Sequence, residues 1–548
     1  MWCRYPSRWR DHGGVRPVGG AEDLGGPMKQ VDTVVIGAGA SGLVAAVALA
    51  RGGSRVVVVE RSSLIGGAFR EIEFAPGFKA APLAGDLGWI PPEVARGLGI
   101  TLAAPAGPAV SVASADGNGG WLELRADLAG TAAGIRKYSP KDADKWPAFA
   151  ARVHKISGFL GALYVAPPPR IDADSLGEFL ELLKLGRKLK GLGNAEMIEV
   201  LRTIPMSVAE LLDDWFESDV LKGAVAADAI TDICRGPMGG GTAFNLLHHH
   251  VGLAPGAIRG RPLPAEGGAG LVKQLADLAR AVGVEIKTGV GVRQVVVSND
   301  RVSGVLLDSG DPIECRDVVS SLDPYQSLLG LVDPVHLDPD IIRAVRNIRF
   351  RGVVSKVMVA LDGLPPLPGG AASVGAISIS PSIRYLERAF DATKYGQRSE
   401  APYVEVRFPS MGRPDLAPGG KHVAVLHVQY TPYQLRTGGW GPAERAALGD
   451  LAVATVDQAL PGFAARVLHR TVLAPPDIEA EFGLREGGIN QGEMTLDQIL
   501  FMRPIAGWSR YATPVPGLFL CGSGTHPGGG VTGASGWLAA QAVLKARK

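Results

Sequence analysis

Apolar residues run almost unbroken over 31–36, stop at a group of glycines, resume over 43–50, and return at 56–59 just before Glu60. An apolar run bounded by turn residues predicts a buried strand, so this stretch reads strand, glycine turn, helix, strand. The logic recurs in mid-chain. Glycines precede a helical pattern over 266–281, and short strands follow at 284–287, 291–297 and 302–308, the last two joined by a turn at Ser298-Asn299-Asp300. Near the end come a strand at 517–521, a second glycine-rich turn and a helix over 535–546. Two insertions separate these three pieces. The first carries helical patterns at 176–191 and 208–229. The second mixes strand-like runs at 354–361, 403–408 and 421–430 with Pro/Gly loops. No repeat of fixed period interrupts this picture of one α/β domain built from remote pieces.

Length allows two to four domains at ~150 residues each, the chain being 548 residues long. With 46% apolar and 20% charged residues it can bury large cores. Lys+Arg 56 against Asp+Glu 54 leaves +2, which excludes broad electrostatic attraction to nucleic acid. Cys3, Cys234, Cys315 and Cys521 form no C-x-x-C pair, which excludes a disulfide scaffold and a zinc ribbon. They fit a reducing compartment: the cytoplasm, or the mitochondrial matrix in a eukaryote. Glycine is the outlier, 74 residues or about 13.5% against a usual ~7%. Without a G-X-Y period, that excess must serve turns and close backbone approach. The apolar stretch 34–50 spans 17 residues and contains three glycines, whereas a bilayer helix needs ~20 uninterrupted ones. Residues 1–27 hold four arginines but no apolar core of a secretory signal, and read as a flexible tail ahead of Met28, which would then be the working start.

Chemistry concentrates in the glycine turns. Gly37-Ala38-Gly39-Ala40-Ser41-Gly42 is a G-x-G-x-x-G placed between strand and helix. Its first glycine makes the tight turn, its second lets a pyrophosphate approach the backbone, and its third lets helix pack on strand. The helix start offers free N–H groups and a positive dipole end. Glu60 ends the next strand, 23 residues after Gly37, where a carboxylate can accept hydrogen bonds from a ribose. An acid there disfavours the 2′-phosphate of NADP. FAD is favoured by Gly66-Gly67, a second close approach, and by the loop 521–533 with its strand before and helix after. That helix start could stabilise negative charge developing on a flavin ring.

The segments DTVVIGAGASGLVAA, VVVERSSLIGGA, PGFKAAPL, GTAFNLLHHHVG, GGINQGEMTLDQILFMRP and PGLFLCGSGTHPGGGVTGASG together resemble the phytoene desaturase-like branch of FAD-dependent oxidoreductases, within the wider amine-oxidase superfamily. The resemblance spans roughly residues 30–545. It implies non-covalent FAD with Gly37, Gly39, Ser41 and Gly42 on the pyrophosphate and Glu60 and Arg61 on the adenosine ribose. Gly67 and Ala68 would lie farther along, and Val292 would offer its backbone to the adenine. Gly522, Ser523, Thr532 and Gly533 would follow the ribitol and flavin. Amine oxidases usually carry an acid after the glycine of the C-terminal strand. Ser523 stands there instead, which weighs against amine substrates.

Other residues stay open at this level. His248-His249-His250 cannot all face one way, so no metal site is expected; a buried structural role is the default, with one of them lining a substrate cavity as the alternative. Arg503 could bind a substrate anion or flavin carbonyl, or pair with an acid at the surface. Glu493 and Asp497 read as solvated, and Cys521 as a small buried hydrophobe. Lys184, Arg187, Lys188 and Lys190 read as a solvated helix face that would also suit peripheral docking on an anionic membrane.

The expected architecture is α/β, amine-oxidase/phytoene-desaturase-like. A discontinuous Rossmann-type FAD-binding domain comprises 28–100, 265–325 and 485–548. An α+β substrate domain comprises 101–264 and 326–484. The expected activity is a dehydrogenase or desaturase taking hydride from an apolar small molecule onto flavin N5, with oxygen or a quinone as electron acceptor and no catalytic residue identified. The apolar helices of the first insertion motivate the apolar substrate. The alternatives are a flavin-containing interaction or regulatory protein, and a redox-neutral polyene isomerase.

Overall fold

The computed structural model describes residues 31–548 except 84, 86, 102–109, 170–179, 181, 182, 184, 185, 188, 192, 260, 262–265 and 369–373. The expected tail and Lys184 and Lys188 lie outside the described residues, while Arg187 and Lys190 are exposed. Among the described residues no helix is long and apolar enough to cross a membrane.

The first apolar run forms the strand Val31–Ile36, the helix Ala40–Arg51 and the strand Val56–Glu60. These two strands pair in parallel, flanked by Glu285–Thr288 on one side and Pro312–Ser320 on the other, with Leu518–Leu520 beyond. Because side chains alternate along a strand, each run feeds two layers. Val35, Val56 and Val58 pack under the helices Ala40–Arg51, Gly267–Ala281 and Ala534–Ala546. Val34, Ile36, Val57 and Val59 pack against the antiparallel meander of Val292–Ser298, Arg301–Leu307 and Pro312–Ser320. Burial on both faces explains the lack of polar alternation.

The strand Pro312–Ser320 is absent from the sequence expectation although it is central. Glu314, Arg316 and Asp317 break its apolar pattern. Asp317 is nonetheless buried, held by Arg301 at 3.0 Å and Arg547 at 2.8 Å.

A second seven-stranded sheet runs Val467–Leu473, Val354–Leu361, His422–Gln429, Val404–Arg407, Val374–Ile379, Val110–Ala115 and Trp121–Leu124. Only Val110–Ala115 and Val374–Ile379 pair in parallel. One face is covered by Pro442–Ala459. A layer of helices, including Pro140–Tyr164, Asp219–Ala229 and Thr242–His249, caps one end of the sheet. The pattern over 208–229 divides into Val208–Trp215 and Asp219–Ala229. Phe216 leaves the helix to pack edge-on against Phe149 at 4.9 Å, and buried Asp142 accepts the freed N–H groups of Glu217 (3.0 Å) and Ser218 (2.8 Å).

Candidate active site

Both glycine-rich turns open onto one cleft of about 1370 Å³, above the 300–1,000 Å³ of ordinary small-molecule pockets. Gly37 has φ +94°, and a Cβ on it would lie 2.3 Å from Ser321 Oγ. Gly42 packs so closely that a Cβ would stand 2.0 Å from the Gly37 carbonyl oxygen. Gly39 differs: a Cβ there would meet only Gly67 Cα, at 3.8 Å, and would otherwise project into space. The helix Ala40–Arg51 starts at Gly39 without a side-chain cap, leaving first-turn N–H groups to a ligand. The last helix likewise starts uncapped, at Gly533, and Ser41 Oγ lies 3.2 Å from Ser535 Oγ, joining the two starts.

Gly37, Gly39, Ser41, Glu60 and Arg61 all line the cleft. So do Gly67 and Ala68, whose turn docks on the first one through Gly66 N–H to Ala38 O at 3.0 Å. Val292 lines it beside Gly291, and Gly522, Ser523 and Thr532 line its opposite part. Gly42 and Gly533 do not reach it. They stand behind, Gly42 against Gly37 and Gly533 against Val44 and Val94.

Glu60 has a local duty besides any ligand: Oε2 accepts Ala38 N–H at 2.8 Å and Oε1 accepts Ser62 N–H at 2.9 Å. A carboxylate has about four acceptor sites, so two remain for ribose hydroxyls. Thr532 offers less than expected, because its N–H goes to Trp89 O at 2.8 Å and its hydroxyl to Leu87 O.

Arg503 is neither a substrate anchor nor a surface ion-pair partner. It is 2% exposed and donates to the backbone carbonyls of Asn490, Gly492, Glu493, Gln498 and Ser523, and among the described residues no carboxylate hydrogen-bonds to it. Burial pulls it down to about 9. It fixes the strand-to-loop passage from behind, with 2.9 Å from Nε to Ser523 O. Glu493, expected to be solvated, is buried and accepts Cys234 N–H at 3.1 Å, while Asp497 pairs with Arg349. Cys521 is fully buried and its thiol is pushed up by that burial.

The three histidines diverge. His249 lines the cleft. His250 Nδ1 donates to Leu246 O at 2.6 Å. His248 Nε2 donates to Gly529 O at 2.7 Å, so its Nδ1 accepts the Tyr164 hydroxyl at 2.8 Å. This chain ties the helical layer to the 522–533 loop, and burial pushes His248 down to about 3.

The strands 354–361, 404–407 and 422–429 hold what sequence reasoning missed. Their apolar residues face the core under Pro442–Ala459, while Lys356, Glu405, Arg407 and His427 line the cleft. Gln429 Nε2 donates to Ile230 O (2.8 Å) and Ile233 O (3.0 Å), so its Oε1 must accept from His427 Nε2 at 3.0 Å. That leaves His427 Nδ1 to accept from Lys356 Nζ at 2.9 Å. The Val-Glu-Val-Arg alternation was the available signal.

A Rossmann-type sheet whose first helix starts uncapped at the cleft, with the 522–532 loop on its other side, under a second sheet and a helical roof, defines a dinucleotide-dependent flavoprotein. The glycine cradle and that uncapped helix start fit a diphosphate, and Glu60 fits a ribose. The chain belongs to the flavin-containing amine oxidoreductases: that family matches residues 133–417, and the NAD(P)-binding Rossmann-like domain matches residues 35–84. It is 34% identical to pyridine nucleotide-disulfide oxidoreductase domain-containing protein 2 of Rattus norvegicus, over 94% of each chain. It is 24% identical to one of the subunits of limonene dehydrogenase from Castellaniella defragrans (94% of this chain, 95% of the relative). It is also 24% identical to the lycopene-forming phytoene desaturase of Pseudescherichia vulneris (91% and 96%). In fold it is similar to an oxidoreductase from Methanosarcina mazei, with TM-score 0.58 and 16% identity over 94% of this chain and 100% of that one. The resemblance read from the motifs is borne out, and the chain is an FAD-dependent oxidoreductase. The disulfide in the rat relative's name finds no C-x-x-C here, and Cys234, Cys315 and Cys521 are free.

Proposed function

We propose that this oxidoreductase is a dehydrogenase or desaturase that removes hydride from one C–H bond of a small, largely apolar molecule, releases a proton from the neighbouring position to solvent, and passes the two electrons to oxygen or a quinone. The observation that carries the reading is continuity: one cavity runs from the Gly37–Ser41 turn past Gly522 and Thr532 to the chamber under the second sheet. Limonene dehydrogenase and phytoene desaturase, both named for hydrocarbons, support a largely apolar substrate. FAD, when bound, supplies the two-electron acceptor, so the protein needs no nucleophile or metal for the redox step.

In this reading Gly37, Gly39 and Ser41 receive the diphosphate and Glu60 and Arg61 the adenosine ribose. Gly67, Ala68 and Val292 flank that half. Gly522 and Ser523 bound the other half with the backbone near Thr532, and Gly42 and Gly533 shape the turns from behind. The domain division is that of the two sheets, with 28–100, 265–325 and 485–548 on the cofactor side. The protein's own share is to orient the substrate and exclude water. The test is anaerobic mixing of FAD-loaded protein with candidate donors. A turnover substrate bleaches the flavin's visible absorbance, and colour returns on adding oxygen or a quinone. If no organic donor bleaches it while dithionite does, the dehydrogenase reading fails.

A further inference from the structure

When hydride leaves one carbon, the neighbouring carbon gives up its proton far faster to a positioned base than to water. Five side chains that could take a proton line the chamber beyond the cofactor turns: Asp228, Asp232, His249, Glu405 and His427. Two of them are spent. Arg259 holds one Glu405 oxygen at 2.5 Å and Arg407 the other at 3.0 Å. His427 has both ring nitrogens engaged, by Lys356 at 2.9 Å and Gln429 at 3.0 Å. Asp228 and Asp232 offer carboxylates, and a carboxylate is ordinarily a weaker base than an imidazole. His249 remains.

His249 stands where the cofactor loop meets the chamber. On the helix Thr242–His249, His248 grips the Gly529 carbonyl of that loop, and the next side chain, His249, lines the cleft together with Asp228, Thr231 and Asp232. Its Nδ1 lies 2.8 Å from the Asp228 carbonyl oxygen, which can only accept, so Nδ1 carries the proton. In the neutral ring the lone pair is then on Nε2. Among the described residues Nε2 has no hydrogen-bond partner, and it is not sealed off, since the side chain is 25% exposed and borders the cleft. Asp228 Oδ1 stands 3.8 Å from Nδ1, too far for a hydrogen bond but close enough to stabilise an imidazolium. Arg261 donates to the His249 carbonyl oxygen at 2.7 Å and fixes the end of the helix.

We propose that His249 Nε2 is the general base of the dehydrogenation and that Asp228 is its positioning residue. As hydride leaves its carbon for the flavin, the adjacent C–H bond breaks, its electron pair closes the new C=C bond, and its proton passes to Nε2. The substrate loses two electrons and FAD, the oxidant, gains them. The imidazolium so formed keeps its Nδ1–H bond to the Asp228 carbonyl, with the Asp228 carboxylate at hand. Nε2 returns the proton to solvent once the product leaves, and the electrons go on to oxygen or a quinone.

This inference rests on the oxidoreductase reading above and deepens it, so its test separates the two. Anaerobic bleaching of FAD-loaded protein is followed with the first of limonene, phytoene, squalene and geraniol that bleaches the native flavin. His249→Ala should slow bleaching about a hundredfold or more, the usual worth of a positioned base, while binding FAD as the native protein does. Imidazole in the buffer should restore part of the lost rate and leave the native rate unchanged. Native bleaching should slow as pH falls, and that acid limb should vanish in His249→Ala. The titratable and charged groups around the ring are Asp228, Arg261, His248, His250 and, through His248, Tyr164; burial holds both neighbouring histidines below the ordinary range. Asp228→Asn keeps the carbonyl and should move the acid limb to lower pH, as loss of a neighbouring negative charge requires. One measurement needs no donor: ring-nitrogen NMR at about pH 8, above the ordinary imidazole range, should show His249, assigned by its loss in His249→Ala, protonated on Nδ1. Bleaching of His249→Ala within tenfold of native, an acid limb that survives in it, no gain from imidazole, or a proton on Nε2 overturns the inference. A native flavin that dithionite bleaches and none of the four donors does overturns the parent reading instead.

Discussion

The Tyr164–His248–Gly529 chain gives the sharpest quantitative expectation. All three partners are buried, with Tyr164 and His248 at 1% and 3% exposure, and no solvent can replace a lost bond. His248→Leu leaves the Tyr164 hydroxyl and the Gly529 carbonyl unpaired. At about 1–3 kcal/mol for each unsatisfied buried group, the loss should be about 4 kcal/mol, a large share of the ~5–15 kcal/mol typical of a folded protein. Tyr164→Phe leaves only His248 Nδ1 unpaired and should cost about 1–2 kcal/mol. In the double variant neither the hydroxyl nor Nδ1 remains to be left unpaired, so both penalties disappear and the two losses should fall short of additive by about 3–4 kcal/mol. Urea unfolding of the four proteins, followed by intrinsic fluorescence, measures this coupling. Gly529 belongs to the cleft wall, so His248→Leu should also weaken FAD binding by roughly tenfold, about 1.4 kcal/mol, in a fluorescence titration. Coupling below about 0.5 kcal/mol with unchanged FAD affinity would refute the claim that this chain holds the loop.

Gly42→Ala places a methyl 2.0 Å from the Gly37 carbonyl oxygen and should cut FAD affinity by about 100-fold or more in the same titration, through the turn it deforms. By contrast Gly158, within the helix Pro140–Tyr164, has nothing within 4 Å of its would-be Cβ, so Gly158→Ala should raise stability by roughly 0.5–1 kcal/mol in urea unfolding. Burial pushes His427 down to about 4 and His526 to about 4, as it does His248 to about 3, from an ordinary 6.5. As pH falls the unfolded chain therefore takes up protons first, and the stability present above pH 6.5 is lost progressively down to about pH 4. His427 alone is worth up to about 3 kcal/mol. Asp323, pushed up to about 6 by burial, slopes the other way between its ordinary 3.8 and 6, as does Glu493, also raised by burial, but two carboxyls do not offset five imidazoles, His250 and His422 being lowered by burial as well. Urea midpoints measured from pH 7.5 to 4.5 should fall, and His427→Gln should flatten the fall.

The glycine turns were legible because their chemistry is backbone chemistry. A tight turn, a close approach and an uncapped helix start leave glycines at fixed spacing, which explains why Gly37, Gly39 and Gly522 were found. Side chains that meet only through long-range folding left a misleading trace. Val-Glu-Val-Arg over 404–407 has the pattern of a strand with one wet face, and the polar face is instead turned into a chamber. Lys356, the one charged residue in the run 354–361, gave the same signal. Arg503 reads as a surface cation in any local window. Only the converging carbonyls of 490–498 and 523 make it a buried strut. The strand Pro312–Ser320 was hidden because Asp317, polar and buried, is neutralised by arginines at 301 and 547, far from it in sequence.

Everything turns on whether the cleft holds FAD. Protein purified in the dark, or reconstituted with FAD and desalted, is denatured, and the released chromophore is identified by chromatography and mass and counted per chain. The account predicts one intact FAD per polypeptide for the native sequence and near-complete loss of it in Gly42→Ala. A native protein that stays colourless after reconstitution, or that releases FMN instead, would contradict it.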